Sequence, residues 1–106
     1  MKLFALAVTL LIITASATSA SAKTIKVGDD WFGSASTTSI TVKNKTKITF
    51  KWVGKRSHNA RVRKGPAKWN SGFRTKGQKS WTVKKKGSYF FICDLHQGMD
   101  FTLRSR

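Results

Sequence analysis

The chain has 106 residues, 21 Lys and Arg against 4 Asp and no Glu, a formal net charge of +17, and one cysteine. That length allows one domain, and a lone cysteine excludes the internal disulfides that commonly reinforce small exported domains. The charge favours acidic partners without naming one, because an acidic protein, an anionic envelope polymer and nucleic acid would all feel a field screened over roughly 8 Å at physiological salt.

Lys2 precedes an apolar run from Leu3 to Ile13, and a Ser/Thr/Ala stretch then ends in Ala20-Ser21-Ala22. This is the charged, apolar and small-x-small order of a secretory leader, so residues 1–22 are read as a signal peptide and residues 23–106 as the mature domain. A membrane-spanning helix needs about 20 apolar residues, roughly twice this run. The expected product is soluble and exported, periplasmic or secreted. Loss of Lys2 with the leader lowers the net charge from +17 by one.

From Ile25 onward the apolar residues recur with period two, the signature of half-buried strands. Ile25 and Val27 open the series, Ile40 and Val42 continue it, and Ile48, Phe50 and Trp52 alternate with Thr49 and Lys51. Ala60 and Val62 follow, then Trp81 and Val83, then Tyr89, Phe91 and Cys93, and finally Phe101 and Leu103. Gly, Asn and Lys-rich turns separate these segments, no amphipathic helix stands out, and about seven short strands at this spacing predict an all-β sandwich or barrel. The least regular stretch, Gly65 to Gln78, is expected to be a surface connection pinned to the core by Trp69 and Phe73. Lysines 43, 45, 47 and 51 and Lys84, Lys85 and Lys86 fall in turns or on polar strand faces. They read equally as a solvated edge that blocks strand pairing or as a docking patch.

Two parts of this pattern carry chemistry. His58 stands at the head of the segment Asn59 to Arg63, and Cys93-Asp94-Leu95-His96-Gln97-Gly98-Met99 follows the strongly β-forming run Ser88 to Ile92. Singly, each residue has a plain structural reading: a buried thiol, loop histidines, a core methionine. Together they are the only Cys, the only two His and the only Met beyond Met1. A short loop can fold three donors spaced every third residue around one point, and His58 can reach that point from a neighbouring strand. Two imidazoles, a thiolate and a longer-range thioether suit copper in both of its oxidation states. Zinc competes less well, because structural zinc takes four Cys or His ligands and a thioether is a poor one. A nucleophilic Cys93–His pair has only Asp94 and Asp100 nearby to orient the base.

These residues resemble the cupredoxins, in particular the small plastocyanin- and amicyanin-like type, over nearly the whole mature chain. The resemblance rests on Val27-Gly28-Asp29-Asp30-Trp31-Phe32, Ile48 to Trp52, Ser57-His58-Asn59, Asn70-Ser71-Gly72-Phe73, Gly77, and Gly87-Ser88-Tyr89-Phe90-Phe91-Ile92-Cys93 before the Cys-x-x-His-x-x-Met loop. It implies a Greek-key β-sandwich of about seven to eight strands. It also implies one copper ion, with His58, Cys93 and His96 as equatorial ligands and Met99 as the weak axial ligand. Asn59 would support the loop, with its neighbourhood hydrogen-bonding the Cys93 sulfur. His96 would be a partly exposed electron port bordered by Leu95, Gln97 and Gly98. Gln97 and Phe101 depart from the Pro and Gly of many relatives.

Three roles follow from that reading. The first is a type I copper protein carrying single electrons to an acidic redox partner. The second is copper delivery without redox turnover, and the third is a basic anion-binding module, with an anionic cell-envelope surface as a further partner. Nucleic acid is disfavoured because the basic residues lack regular aromatic interleaving. Enzymatic turnover is not expected of a site with four protein ligands, and the expected state is a monomer.

Overall fold

The computed structural model describes residues 21–34 and 38–106, so the expected leader lies outside the described residues up to residue 20. Seven strands follow in chain order: β1 Ala22–Val27, β2 Ser39–Val42, β3 Lys47–Trp52, β4 Arg61–Lys64, β5 Gly77–Thr82, β6 Gly87–Ile92 and β7 Asp100–Ser105. No helix occurs among the described residues. The strands form a three-stranded sheet in the order β1-β3-β5 and a four-stranded sheet in the order β2-β7-β6-β4. β1 runs parallel to β3 and β2 parallel to β7, while the other pairings are antiparallel. This is the all-β sandwich that the alternation predicts.

Period-two patterning fixes which face of each strand is buried. In β3 the pattern reads exposed Lys47, buried Ile48, half-buried Thr49, buried Phe50, exposed Lys51 and buried Trp52. Ile25, Val27, Ile48, Phe50, Val62, Tyr89, Phe91, Phe101 and Leu103 meet in one core, joined by Phe32, Ala60 and Val83 from outside the strands. Burying one such side chain stabilises the fold by about 1.5–3 kcal/mol before chain entropy is counted. Ile40, Val42 and Trp81 are only partly buried and pack against the rim of this core.

The connection between β4 and β5 crosses the open side of the sandwich. Its Trp69 stacks on Phe50 at 5.5 Å and on Trp81 at 5.6 Å, with 20° between planes in both cases. It is tied to β4 by the Val62 N–H donating to the Trp69 carbonyl at 2.8 Å. Trp69 is thus the expected pin, but Phe73 is not, being 54% exposed. The reason is local. Ser71 is buried and exchanges hydrogen bonds with Ala60, but Gly72 then takes a φ of +79° and breaks the alternation that would have turned Phe73 inward.

The two ends of the sandwich differ in what they gather. β1 and β3 run towards, and β7 runs away from, the end where β6 delivers Cys93. The opposite end is closed by the turns at residues 43–46 and 83–86.

Candidate metal centre

His58 enters the site through backbone bonds. Its N–H donates to the Arg74 carbonyl and the Arg74 N–H donates back, both at 3.0 Å, while Trp52 Nε1 donates to the His58 carbonyl at 2.9 Å. The residue is fully buried. Its Nδ1 lies 3.7 Å from Cys93 Sγ, and its Nε2 lies 3.1 Å from Asp29 Oδ1.

The carboxylate of Asp29 organises this side of the site. The same Oδ1 accepts from the backbone N–H groups of Lys55 at 2.8 Å and Arg56 at 2.9 Å. The Arg56 amide bond and the His58 contact together lower its pKa from 3.8 to about 2. Gly54 makes room for it, since a Cβ at residue 54 would collide with Asp29 Oδ1. An ionised carboxylate facing Nε2 favours the proton on that nitrogen, which leaves the Nδ1 lone pair directed at Cys93.

The second side is the loop after β6. Cys93 N–H donates to the Met99 carbonyl at 3.1 Å and closes the neck of the loop. Inside it, His96 N–H donates to the Cys93 carbonyl at 3.4 Å and Met99 N–H to the His96 carbonyl at 3.1 Å. These are two successive i to i+3 turns, which explains the spacing: each turn advances three residues and returns the chain to the same side. Gly98 has a φ of +85°, the geometry required at the third position of a type II turn. Cys93 and Met99 are buried, while His96 is half-buried.

Asn59 holds the loop against the β4 side. Its Oδ1 accepts from the Asp94 N–H at 2.8 Å, and its Nδ2 donates to Asp94 Oδ2 at 2.7 Å and Asn70 Oδ1 at 3.2 Å. Arg61 grips the other side of the same carboxylate, with Nη2 at 2.7 Å and Nε at 2.9 Å. The Arg61 hydrogen bonds, then that of Asn59, hold the Asp94 carboxyl below its ordinary pKa.

The outcome is a compact donor cluster. The ligand atoms of His58, Cys93 and His96 all lie within 4.8 Å of one another, and the two imidazole rings are 4.5 Å apart at their centroids. Met99 is brought to the same loop and buried. A cysteine sulfur with two imidazoles, His58 and Cys93 buried and His96 half-buried, is a donor set that fits one copper ion in either oxidation state. Asp29, Gly54 and Arg61 are the participants that sequence reasoning missed. Each acts across about 25 to 33 residues of chain, a distance over which no local motif signals contact.

The same architecture recurs among solved structures. A Cu(I) form of an amicyanin variant superposes with a TM-score of 0.69 at 19% identity, over 89% of this chain and 90% of that one. An oxidised amicyanin variant gives 0.68 at 19% identity over 80% and 82%. A pseudoazurin from a Sinorhizobium species gives 0.66 at 16% identity over 81% and 74%. This chain has the cupredoxin fold. At these identities the likeness establishes the cupredoxin architecture only. No protein-family model and no curated protein sequence matches the chain.

Proposed function

We propose that this protein is an exported carrier of single electrons that holds one copper ion through His58, Cys93 and His96, with Met99 as a weaker axial ligand. The observation that carries the reading is the convergence of one thiolate and two imidazole donors within 4.8 Å in a cupredoxin fold. A copper ion held there would take up and release one electron between Cu(I) and Cu(II). The protein's part is to keep that exchange from requiring movement. His58 is fixed by its paired bonds to Arg74 and by Asp29, and the ligand loop by its neck bond and by Asn59. With four protein donors no position is left for a substrate, which favours a carrier over an enzyme.

His96 is the half-buried donor, and the exposed Leu95 beside it offers an apolar contact for a partner. Phe73 and Val53, the other large apolar side chains that stand exposed among the described residues, flank the His58 segment at the same end. Arg56 and Arg63 are exposed around them. An apolar centre with a cationic rim fits a redox protein with an acidic docking face. The leader-like segment 1–22 supports a meeting outside the cytoplasm, which the mass of the protein recovered from the cell envelope would test.

Titration of the reduced, metal-free protein with Cu(II), followed by visible absorption and electron paramagnetic resonance, tests the site. One equivalent of copper should give an intense thiolate-to-copper band that a reductant bleaches and an oxidant restores. Binding without that band, or a band that does not cycle, would replace the carrier with a delivery role.

A further inference from the structure

The acidic residues are not spread over this very basic molecule. Asp29 contacts His58, Asp94 lies in the ligand loop, Asp100 opens β7 directly after that loop, and Asp30 shares a small cavity with Gly98 of the loop. All four acidic side chains of the chain therefore sit at the ligand end. Among the described residues, the charged side chains at the opposite end are all cationic. Lys43, Lys45 and Lys47 surround the turn before β3, and Lys84, Lys85 and Lys86 form the turn before β6, all exposed.

This pole is built rather than merely lysine-rich. Asn44 ties its parts together: its N–H donates to the Arg106 carbonyl at 2.8 Å, its Nδ2 to the Lys84 carbonyl at 3.3 Å, and its Oδ1 accepts from Ser105 at 3.1 Å. Lys45 N–H donates to the Val83 carbonyl at 2.7 Å, and the Tyr89 hydroxyl to the Lys85 carbonyl at 2.6 Å. Neither of the two ion pairs among the described residues reaches this end.

We infer that this lysine pole docks on an anionic lipid bilayer, leaving the His96 end turned away from the membrane towards its redox partner. Two observations select a bilayer. The chain enters the domain here, since Ala22 pairs with Lys47 and the Lys47 N–H donates to the Ser21 carbonyl. The twenty residues before Ser21, with their apolar run, therefore join the domain at this end, so a leader held in the membrane during the proposed export would bring the pole to it. Among the described residues the pole also has no large apolar side chain standing exposed, Val53, Phe73 and Leu95 all being at the other end. It offers nothing on which bases would stack and no apolar centre for a protein interface, only charge for headgroups.

The test is sedimentation of the exported protein with vesicles of phosphatidylcholine alone or of equimolar phosphatidylcholine and phosphatidylglycerol. Binding to the anionic vesicles alone, weakening steeply with salt, is expected. Replacing Lys84, Lys85 and Lys86 together by Gln should weaken it roughly 100-fold, at about fivefold per lysine. The equal charge loss in a Lys55→Gln, Lys68→Gln, Lys76→Gln variant, placed away from the pole, should cost far less. The circular dichroism spectra of both variants, matching the parent, would show that each folds. Equal loss in the two variants would overturn the inference in favour of net charge alone. Equal binding to neutral vesicles would overturn it in favour of apolar insertion, and binding to duplex DNA but to neither vesicle in favour of nucleic acid.

Discussion

The two ends of this sandwich are capped by the same strands, yet one is built for chemistry and the other for charge. At the ligand end, buried polar groups cross-link segments far apart in sequence, and carboxylates of both Asp29 and Asp94 are matched by donors. At the lysine end, backbone bonds, Asn44 and the hydroxyls of Thr46 and Tyr89 hold the turns, and the long side chains reach into solvent. A small fold can thus concentrate its preorganised contacts where geometry matters and leave the remainder of its surface free for electrostatics.

Variants at the ligand end should have the largest effects. Replacing Cys93 by Ser removes the thiolate, and the expected result is complete loss of the thiolate-to-copper band with the fold retained in circular dichroism. Asp29→Asn keeps an acceptor for the Lys55 and Arg56 amides but withdraws the charge from His58. Support of this kind typically contributes 10–100-fold in metal affinity. If Cu(II) loses about tenfold more than Cu(I), voltammetry should find the potential raised by about 59 mV, the one-electron equivalent. An unchanged potential would mean that Asp29 serves only the 53–57 turn.

Acid should act next, and on the same end. The pKa of Asp29 is lowered from 3.8 to about 2 and that of Asp94 is also lowered, so between those values the unfolded chain binds more protons than the folded one. The stability they contribute is fully present above about pH 4 and is lost as pH falls towards 2. Denaturant midpoints of the metal-free protein should decline over that window, and the decline should be shallower in Asp29→Asn.

Smaller effects separate the two kinds of turn. Gly98→Ala meets no neighbour within 4 Å but must hold a φ of +85°, so its cost is conformational and should be about 1 kcal/mol. At the other end Lys45 already adopts a φ of +74°. Lys45→Gly relieves that strain and should raise stability, read from the denaturation midpoint at unchanged slope, by about 1 kcal/mol at most after the added chain entropy.

Legibility followed the range of the interactions. The alternation in Ile48 to Trp52 and Tyr89 to Cys93 depends only on strand geometry, so strands and core were readable before any contact was known. The Cys93–Met99 loop was readable because its donors are close in sequence and chemically unusual. Trp69 was correctly expected to anchor its connection, whereas Phe73 was not predictable from hydrophobicity, because the Gly72 dihedral decides which way it faces. Asp29 looked like an ordinary turn residue, and its place over His58 arises only when the β1 turn and the 53–57 turn meet.

The donors are unequally distributed along the chain, and this bears on the order in which the site assembles. Cys93, His96 and Met99 lie within one hairpin, β6 to β7, which needs no distant partner to form, whereas His58 must arrive from 35 residues away. Loop closure over the longer span carries the greater entropic cost and is the slower event. The hairpin can therefore present a thiol and two further donors before the sandwich has closed, and docking of the β4 side is what removes that thiol from solvent. Completion of the fold and protection of the lone cysteine are then one event, which would suit the export proposed above, since the chain has no second cysteine to pair with.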